Sequence, residues 1–337
     1  MTKVSIVLIS KNQDWNIERL ISSALQNSSS IPSTEIILVD SASTDRTIEL
    51  AYRHPMTILQ LATNQRLTAA AGRYIGHKHS PADYILFLDG DMELYPGWLE
   101  SAVQILEKQP EIAVITGHIL DLAKTAIDND KPPIVQTQSN TLIDLTHAGG
   151  AALYRGSVLK EVGSFNPYIY SDEEPELCIR IRHKGYRVVQ LDYPIVFHYT
   201  DPHEDLATPI KRWRRNLYLG YGQNLRYHYG SDLFWTHIKE RAYGLPPALG
   251  LIAGLISAGW SFRTGNKLWI ILWFLGGISA ISGLAYYKGS LYHVIRRLLE
   301  RFLILDGMIK GIFLKPLNPK DYPSNLTIVK LAVSHNE

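Results

Sequence analysis

The chain has 337 residues, enough for one large or two modest domains with an ample core. Hydrophobic residues make up 46% and charged residues 20%, which excludes wholesale disorder; the net charge of +2 is too near balance to argue for nucleic acid. A single cysteine, Cys178, rules out an intrachain disulfide framework and fits a reducing compartment.

The N-terminus, MTKVSIVLISKN, has neither a basic leader region nor a small-residue cleavage site, so no signal peptide is expected. Its apolar run at 4–10 is continuous, the pattern of a strand buried on both faces of a parallel sheet. A helix at 16–25, a strand at 35–40, a helix at 45–53 behind Ser43-Thr44-Asp45, a strand at 56–61, a helix at 67–79 and a strand at 84–89 follow. This alternation predicts an open α/β sheet with right-handed crossovers. In such sheets ligands bind in the crevice beyond the carboxyl ends of the strands.

Two aspartates fall at such ends, Asp40 in EIILVD and Asp89 in YILFLDGDMEL. Residues two apart in extended chain point to the same side, so Asp89 and Asp91 aim together, and Glu93 continues that face if the chain stays extended. Carboxylates this close repel unless a cation lies between them. A hard divalent ion, Mg²⁺ or Mn²⁺, takes oxygen ligands and shares them with phosphates. The plainer reading of a bare DxD is a solvated loop with capping aspartates.

Composition then changes. Residues 211–228, KRWRRNLYLGYGQNLRYH, interleave basic and aromatic residues, a mixture suited to a bilayer headgroup region or to single-stranded nucleic acid. The apolar segments just downstream favour the membrane. Residues 245–290 are nearly uncharged, and Leu268–Tyr287 is 20 residues without a charge, about the length that crosses a bilayer. The preceding run, GLPPALGLIAGLISAGW, is shorter and opens with Pro246-Pro247, which suggests a re-entrant or interfacial segment. From Leu291 the apolar Leu291, Ile295, Leu298, Phe302 and Leu305 recur at helical spacing opposite Arg296, Arg297 and Arg301. Such a helix lies on a membrane surface or packs on a soluble domain. The expected organisation is a catalytic domain over 1–205, a helical connector over 206–244, hydrophobic membrane segments over 245–290, and an amphipathic helix and tail over 291–337.

Five stretches in order, VSIVLISKN, EIILVDSASTDRT, YILFLDGDMELYPGWLE, HAGGAALYRGSVLKEVGSFNP and SDEEPELCIRIRHKGYRVV, together resemble the inverting family 2 glycosyltransferases over about the first 200 residues. The resemblance implies a GT-A fold, a mostly parallel sheet with flanking helices, and a nucleotide-diphosphate sugar donor. It implies that Asp40 contacts the donor nucleoside, that Asp89 lies near the ribose, and that Asp91 ligates the metal bridging the diphosphate. Asn12 in VSIVLISKN and Arg73 in NQRLTAAAGRYIG join the donor-binding set, Arg73 as a phosphate contact. His198 in YPIVFHYTDPHE is a further metal or diphosphate ligand, with His203 a second candidate; histidine nitrogen suits Mn²⁺ better than Mg²⁺.

The family's second signature is a Glu-Asp pair before an apolar helix, its aspartate the general base. Here the matching pair is Glu173-Glu174, so Glu174 takes the base's place one methylene further out, with Glu173 or Asp172 as alternatives. The same acids could only cap the helix that begins near Pro175. Gly149 and Gly150 match a small-residue loop where the backbone approaches the sugar.

The resulting expectation is a metal-dependent transferase at the cell membrane, its catalytic domain cytoplasmic, acting on a lipid-linked or surface-glycan acceptor. A phosphatase built on DxD would carry it on the first strand, and an oxidoreductase would show GxGxxG there. The remaining alternative is a non-catalytic membrane scaffold that keeps the fold, which the missing base aspartate favours.

Overall fold

The continuous apolar run VSIVLIS forms β1 (Val4–Ser10), buried along its whole length, as a strand covered on both faces must be. The computed structural model describes residues 2–124, 141–200, 205–323 and 325–332. In it β2 (Thr34–Asp40), β3 (Thr57–Leu61) and β4 (Tyr84–Asp89) join β1 in the parallel order β3-β2-β1-β4. The crossovers are α1 (Ile17–Ser28), α2 (Thr47–Ala51) and α3 (Ala69–Lys78), close to where the sequence pattern places them. Register aligns Ser10 with Asp40 and Ile9 with Asp89, so both aspartates end at one edge of the sheet.

Beyond β4 the sheet becomes mixed. It continues through β5 (Met92–Leu94), α4 (Trp98–Lys108), β6 (Ile112–Ala123), β7 (Leu142–Asp144), β8 (Ala152–Arg155), α5 (Gly156–Val162), α6 (Glu173–His183) and β9 (Arg187–Thr200). β8 runs antiparallel between β4 and β6, β6 runs parallel to β9, and β5 and β7 pair antiparallel with β9. One apolar core lies between the sheet and α1 with α4, around the fully buried Trp98. The other lies between the opposite face and α3, α5 and α6. Helix α3 sits close on β1 because Gly72 and Gly76 face it: a Cβ at Gly72 would come within 2.7 Å of Ile9, and one at Gly76 would collide with Val7.

The chain divides into two compact units, Met1–Pro202 with Leu317–Glu337, and His203–Pro316. In the first unit the C-terminal stretch returns to the sheet, where β10 (Leu326–Lys330) pairs antiparallel with the edge strand β3. The Tyr322 hydroxyl donates to the Arg66 carbonyl at 2.7 Å.

The second unit contains α7 (Ala207–Arg214), α8 (Leu219–Tyr227), α9 (Leu233–Arg241), α10 (Leu245–Thr264), α11 (Leu268–Lys288) and α12 (Leu291–Ile312). The first apolar segment is not a short re-entrant piece. It is a full 20-residue helix, with its prolines in the first turn, where their missing N–H groups cost nothing. Both α10 and α11 are long and apolar enough to cross a membrane, and few of their residues are buried. In α12 the buried residues are Val294, Ile304, Leu305, Gly307, Met308 and Gly311, whereas Leu291, Ile295 and Phe302 are exposed. The apolar stripe read from the sequence is thus offset from the buried face. Helices α8 and α12 touch through glycines, since a Cβ at Gly222, Gly307 or Gly311 would strike the backbone of the facing helix or its flank.

Candidate active site

At the carboxyl edge of the sheet, Asp89 closes β4 with about a third of its side chain exposed. The chain turns at Gly90, where a Cβ would press on Gln13, and re-enters the sheet as β5. That turn breaks the extended alternation. Asp91 faces His198, Oδ2 to Nε2 3.6 Å, whereas Glu93 accepts from the Tyr199 hydroxyl at 2.7 Å. His198 and Tyr199 are successive residues of β9, so Glu93 leaves the aspartate cluster, contrary to the sequence expectation.

Arg73 is the hub of the site. Its guanidinium is buried and reaches Asp89 Oδ1 at 2.8 Å, Glu173 Oε1 at 2.6 Å and Glu174 Oε1 at 3.0 Å. Burial works against its charge, but Asp89, Glu174 and Glu173 outweigh that and raise its pKa. One cation cannot neutralise three carboxylates, and two of the three, Glu173 and Asp89, are shifted toward their neutral forms. Burial, reinforced by Glu174, pushes Glu173 up to about 8 although Arg73 opposes it. Desolvation likewise lifts Asp89 to about 6 against Arg73, a lift tempered by its exposed third. Gly150 lies against this cluster: a Cβ there would collide with Asp89 Oδ2 and come within 3.2 Å of Arg73 Nη2. The small-residue loop therefore makes room for the carboxylate as well as for any ligand.

Glu173 and Glu174 open α6. Asp172 stands at the N-cap with positive φ, and its side chain makes no capping hydrogen bond to the helix. Glu173 points into the buried cluster with 6% of its side chain exposed, against 16% for Glu174. Glu174 is thus the more accessible acid. Glu176, further into α6, is bound instead by Arg180 at 2.7 Å.

His198 also meets Asp121, Nδ1 to Oδ1 2.7 Å. Asp91, with Asp121 adding, raises the imidazole to about 9 against the opposing effect of burial. An imidazole held between two carboxylates marks a place that favours positive charge. The donor set fits Mn²⁺ or Mg²⁺: Asp91 oxygen and His198 nitrogen converge, and Asp89 is near enough to feel the charge of Asp91. Such an ion needs only one or two protein ligands when phosphate oxygens and water complete its shell.

The remaining donor-side residues are placed differently. Asp40 is wholly buried and accepts from Ser43 N at 2.8 Å and Gln60 Nε2 at 3.1 Å. It also meets the Ser43 and Ser10 hydroxyls. Asn12, in the left-handed region at φ 54°, ties the β1 and β2 loops: its backbone N–H donates to Ser43 Oγ and its Oδ1 accepts from Thr44 N, both at 2.8 Å. Arg73 is buried among carboxylates. His203 lies outside the described residues. Asp121 and the bridging role of Arg73 are the two features sequence reading missed. The alternation of HILDLA could have marked Asp121 as outward-facing, but nothing local names its partner.

Residues 5–163 match the family described as Glycosyl transferase family 2. An uncharacterized glycosyltransferase of Haemophilus influenzae is 35% identical over 113 residues, 33% of this chain and 37% of that protein. The chain spans about two fifths of the length of the curated relatives it matches. Among solved structures, the mannosyltransferase PcManGT from Pyrobaculum calidifontis, in complex with GDP-Man and Mn²⁺, superposes with a TM-score of 0.59 at 17% identity, covering 92% of this chain and 87% of that one. S. aureus TarS 1-349 in complex with UDP-GlcNAc gives 0.52 at 15% identity, covering 93% of each chain. At these identities the likeness shows the fold, which is of the GT-A type.

Proposed function

The chain carries a family 2 glycosyltransferase domain over residues 5–163, and from that premise we propose that it is a metal-dependent inverting glycosyltransferase using a nucleotide-diphosphate sugar donor and a lipid-linked acceptor at a membrane. The observation that carries this reading is the Arg73 bridge, which joins the DxD carboxylate Asp89 to the acids opening α6. Two motifs far apart in sequence thereby become one constellation. Asp91 and His198 would hold Mn²⁺ or Mg²⁺, which supplies Lewis-acid stabilisation to the departing diphosphate, worth several kcal/mol. Glu174 takes the acceptor proton as the hydroxyl attacks the anomeric carbon opposite the leaving group. Arg73 holds Glu174 and Asp89 in fixed relation, and Glu173 fills the buried side of the cluster. An acceptor that is already an ionised phosphate makes a weaker demand on Glu174, which suits its displaced carboxylate.

The membrane reading is supported by α10 and α11, whose large apolar side chains are exposed, Leu255 at 74% and Phe262 at 92%. Between α9, α10, α11 and α12 runs a groove of about 870 Å³ lined by Leu251, Leu272, Gly276, Ala280 and Phe302, with Lys239, Arg301 and Glu240 as its charged residues. Apolar walls with two cations and one carboxylate among them suit an amphiphile whose head carries negative charge. The catalytic unit is assigned to the cytoplasmic side as part of this reading.

Nucleotide release by detergent-purified protein tests the reading. The panel comprises UDP-, GDP- and dTDP-sugars with Mn²⁺ or Mg²⁺, crude lipid extract as acceptor, and Asp91→Asn as control. UDP-GlcNAc and GDP-Man, the ligands of the two proteins of like fold, head the panel. Release from one donor, lost in Asp91→Asn, is expected. Full activity in Asp91→Asn would sink the metal assignment. Nucleotide binding without turnover of any donor would favour the non-catalytic scaffold.

A further inference from the structure

The second half of β6 continues beside β9, and the register sets Asp121 directly opposite His198. Burial alternates residue by residue along this part of β6, leaving Asp121 on the open face with 65% of its side chain exposed, against 22% for His198. Its Oδ1 lies 2.7 Å from His198 Nδ1, while the other ring nitrogen, Nε2, faces Asp91 Oδ2 at 3.6 Å. The two nitrogens of an imidazole are not equivalent: holding one as an N–H donor leaves the lone pair on the other. An exposed carboxylate gains little stability from such a pair, so the geometry contributes more to ring orientation than to folding.

We propose that Asp121 is a positioning residue for the divalent-cation site. By accepting the Nδ1–H it fixes the tautomer and ring plane of His198, so that Nε2 is presented toward Asp91. The inference rests on the metal reading above and extends it to a residue outside the DxD segment. Carboxylates that orient a ligating histidine in this way are worth about 10–100-fold in metal affinity.

The test is a Mn²⁺ titration of the full chain in detergent, read as free Mn²⁺ by electron paramagnetic resonance, with and without UDP. Asp121→Ala should weaken Mn²⁺ binding about 10–100-fold, and Asp121→Glu should recover part of that. In a His198→Ala background the same substitution should add nothing, which a merely structural role would not produce. Asp192→Ala is the control, since it removes the carboxylate from the His118–Asp192 pair, 2.9 Å apart on the same two strands; it should leave Mn²⁺ affinity unchanged. Unchanged affinity in Asp121→Ala, or a loss that persists in the His198→Ala background, would overturn the inference and leave the metal reading standing. Absence of Mn²⁺ binding by the unsubstituted chain would overturn both.

Discussion

Arg73 shares its one positive charge among Asp89, Glu173 and Glu174, and burial raises the pKa of Asp89 and Glu173. Removing the cation leaves buried carboxylates unpaired, so Arg73→Met should cost about 3–5 kcal/mol in urea unfolding at pH 8. Glu174→Gln keeps the hydrogen-bonding shape but cannot take a proton. It should lower transfer about 10²–10⁴-fold while nucleotide binding, followed by calorimetry, stays unchanged. His198 bears on stability as well as on the metal. Folding raises its pKa from 6.5 to about 9, so the folded state binds that proton more tightly than the unfolded state does. The stability this supplies is fully present below pH 6.5 and lost as pH rises through 9. Glu173, raised from 4.5 to about 8, acts with the same sign over a lower window. In metal-free protein the unfolding free energy should therefore decline from pH 6.5 to pH 9, with a shallower decline in His198→Ala.

Individual elements are positioned largely by glycine. Gly72 and Gly76 let α3 lie close on β1, and that closeness carries Arg73 under the β4 carboxylate. In the second unit Gly307 faces Tyr218 and Gly311 faces Leu219. Gly307→Val should cost about 1–3 kcal/mol through overpacking, seen as a lower thermal midpoint of the full chain. The first four strands and their helices are legible in the sequence because each is a continuous apolar run bounded by a polar or capped helix. β5 and β7, at three residues each, are too short for any period to register. Glu93 is the instructive failure: the two-residue rule holds along a strand but ends at the Gly90 turn.

The molecule as a whole closes its first unit with a segment from the far end of the chain. Deleting 245–337 to free the protein from membranes would also remove β10 and expose the edge of β3, inviting aggregation. The cleaner experiment joins residue 244 to 291 with a short flexible linker. That protein should remain in the supernatant when sedimented with anionic lipid vesicles, whereas the full chain should pellet; pelleting of both would contradict membrane attachment through α10 and α11.

The sequence by itself determined the α/β alternation, the strand-end aspartates, the acids of α6 and two apolar segments, only the second of them read at membrane length. These are local properties, written in periods of two and 3.6 residues and in runs of uncharged side chains. Tertiary structure alone decided which carboxylates share Arg73, that Asp121 stands across from His198, that Asp40 is sealed by Ser43 and Gln60, and that β10 completes the sheet. Each of these depends on strand register or on contact between distant segments. Local periodicity carries no information about either, because a one-residue change of register turns every side chain to the opposite face.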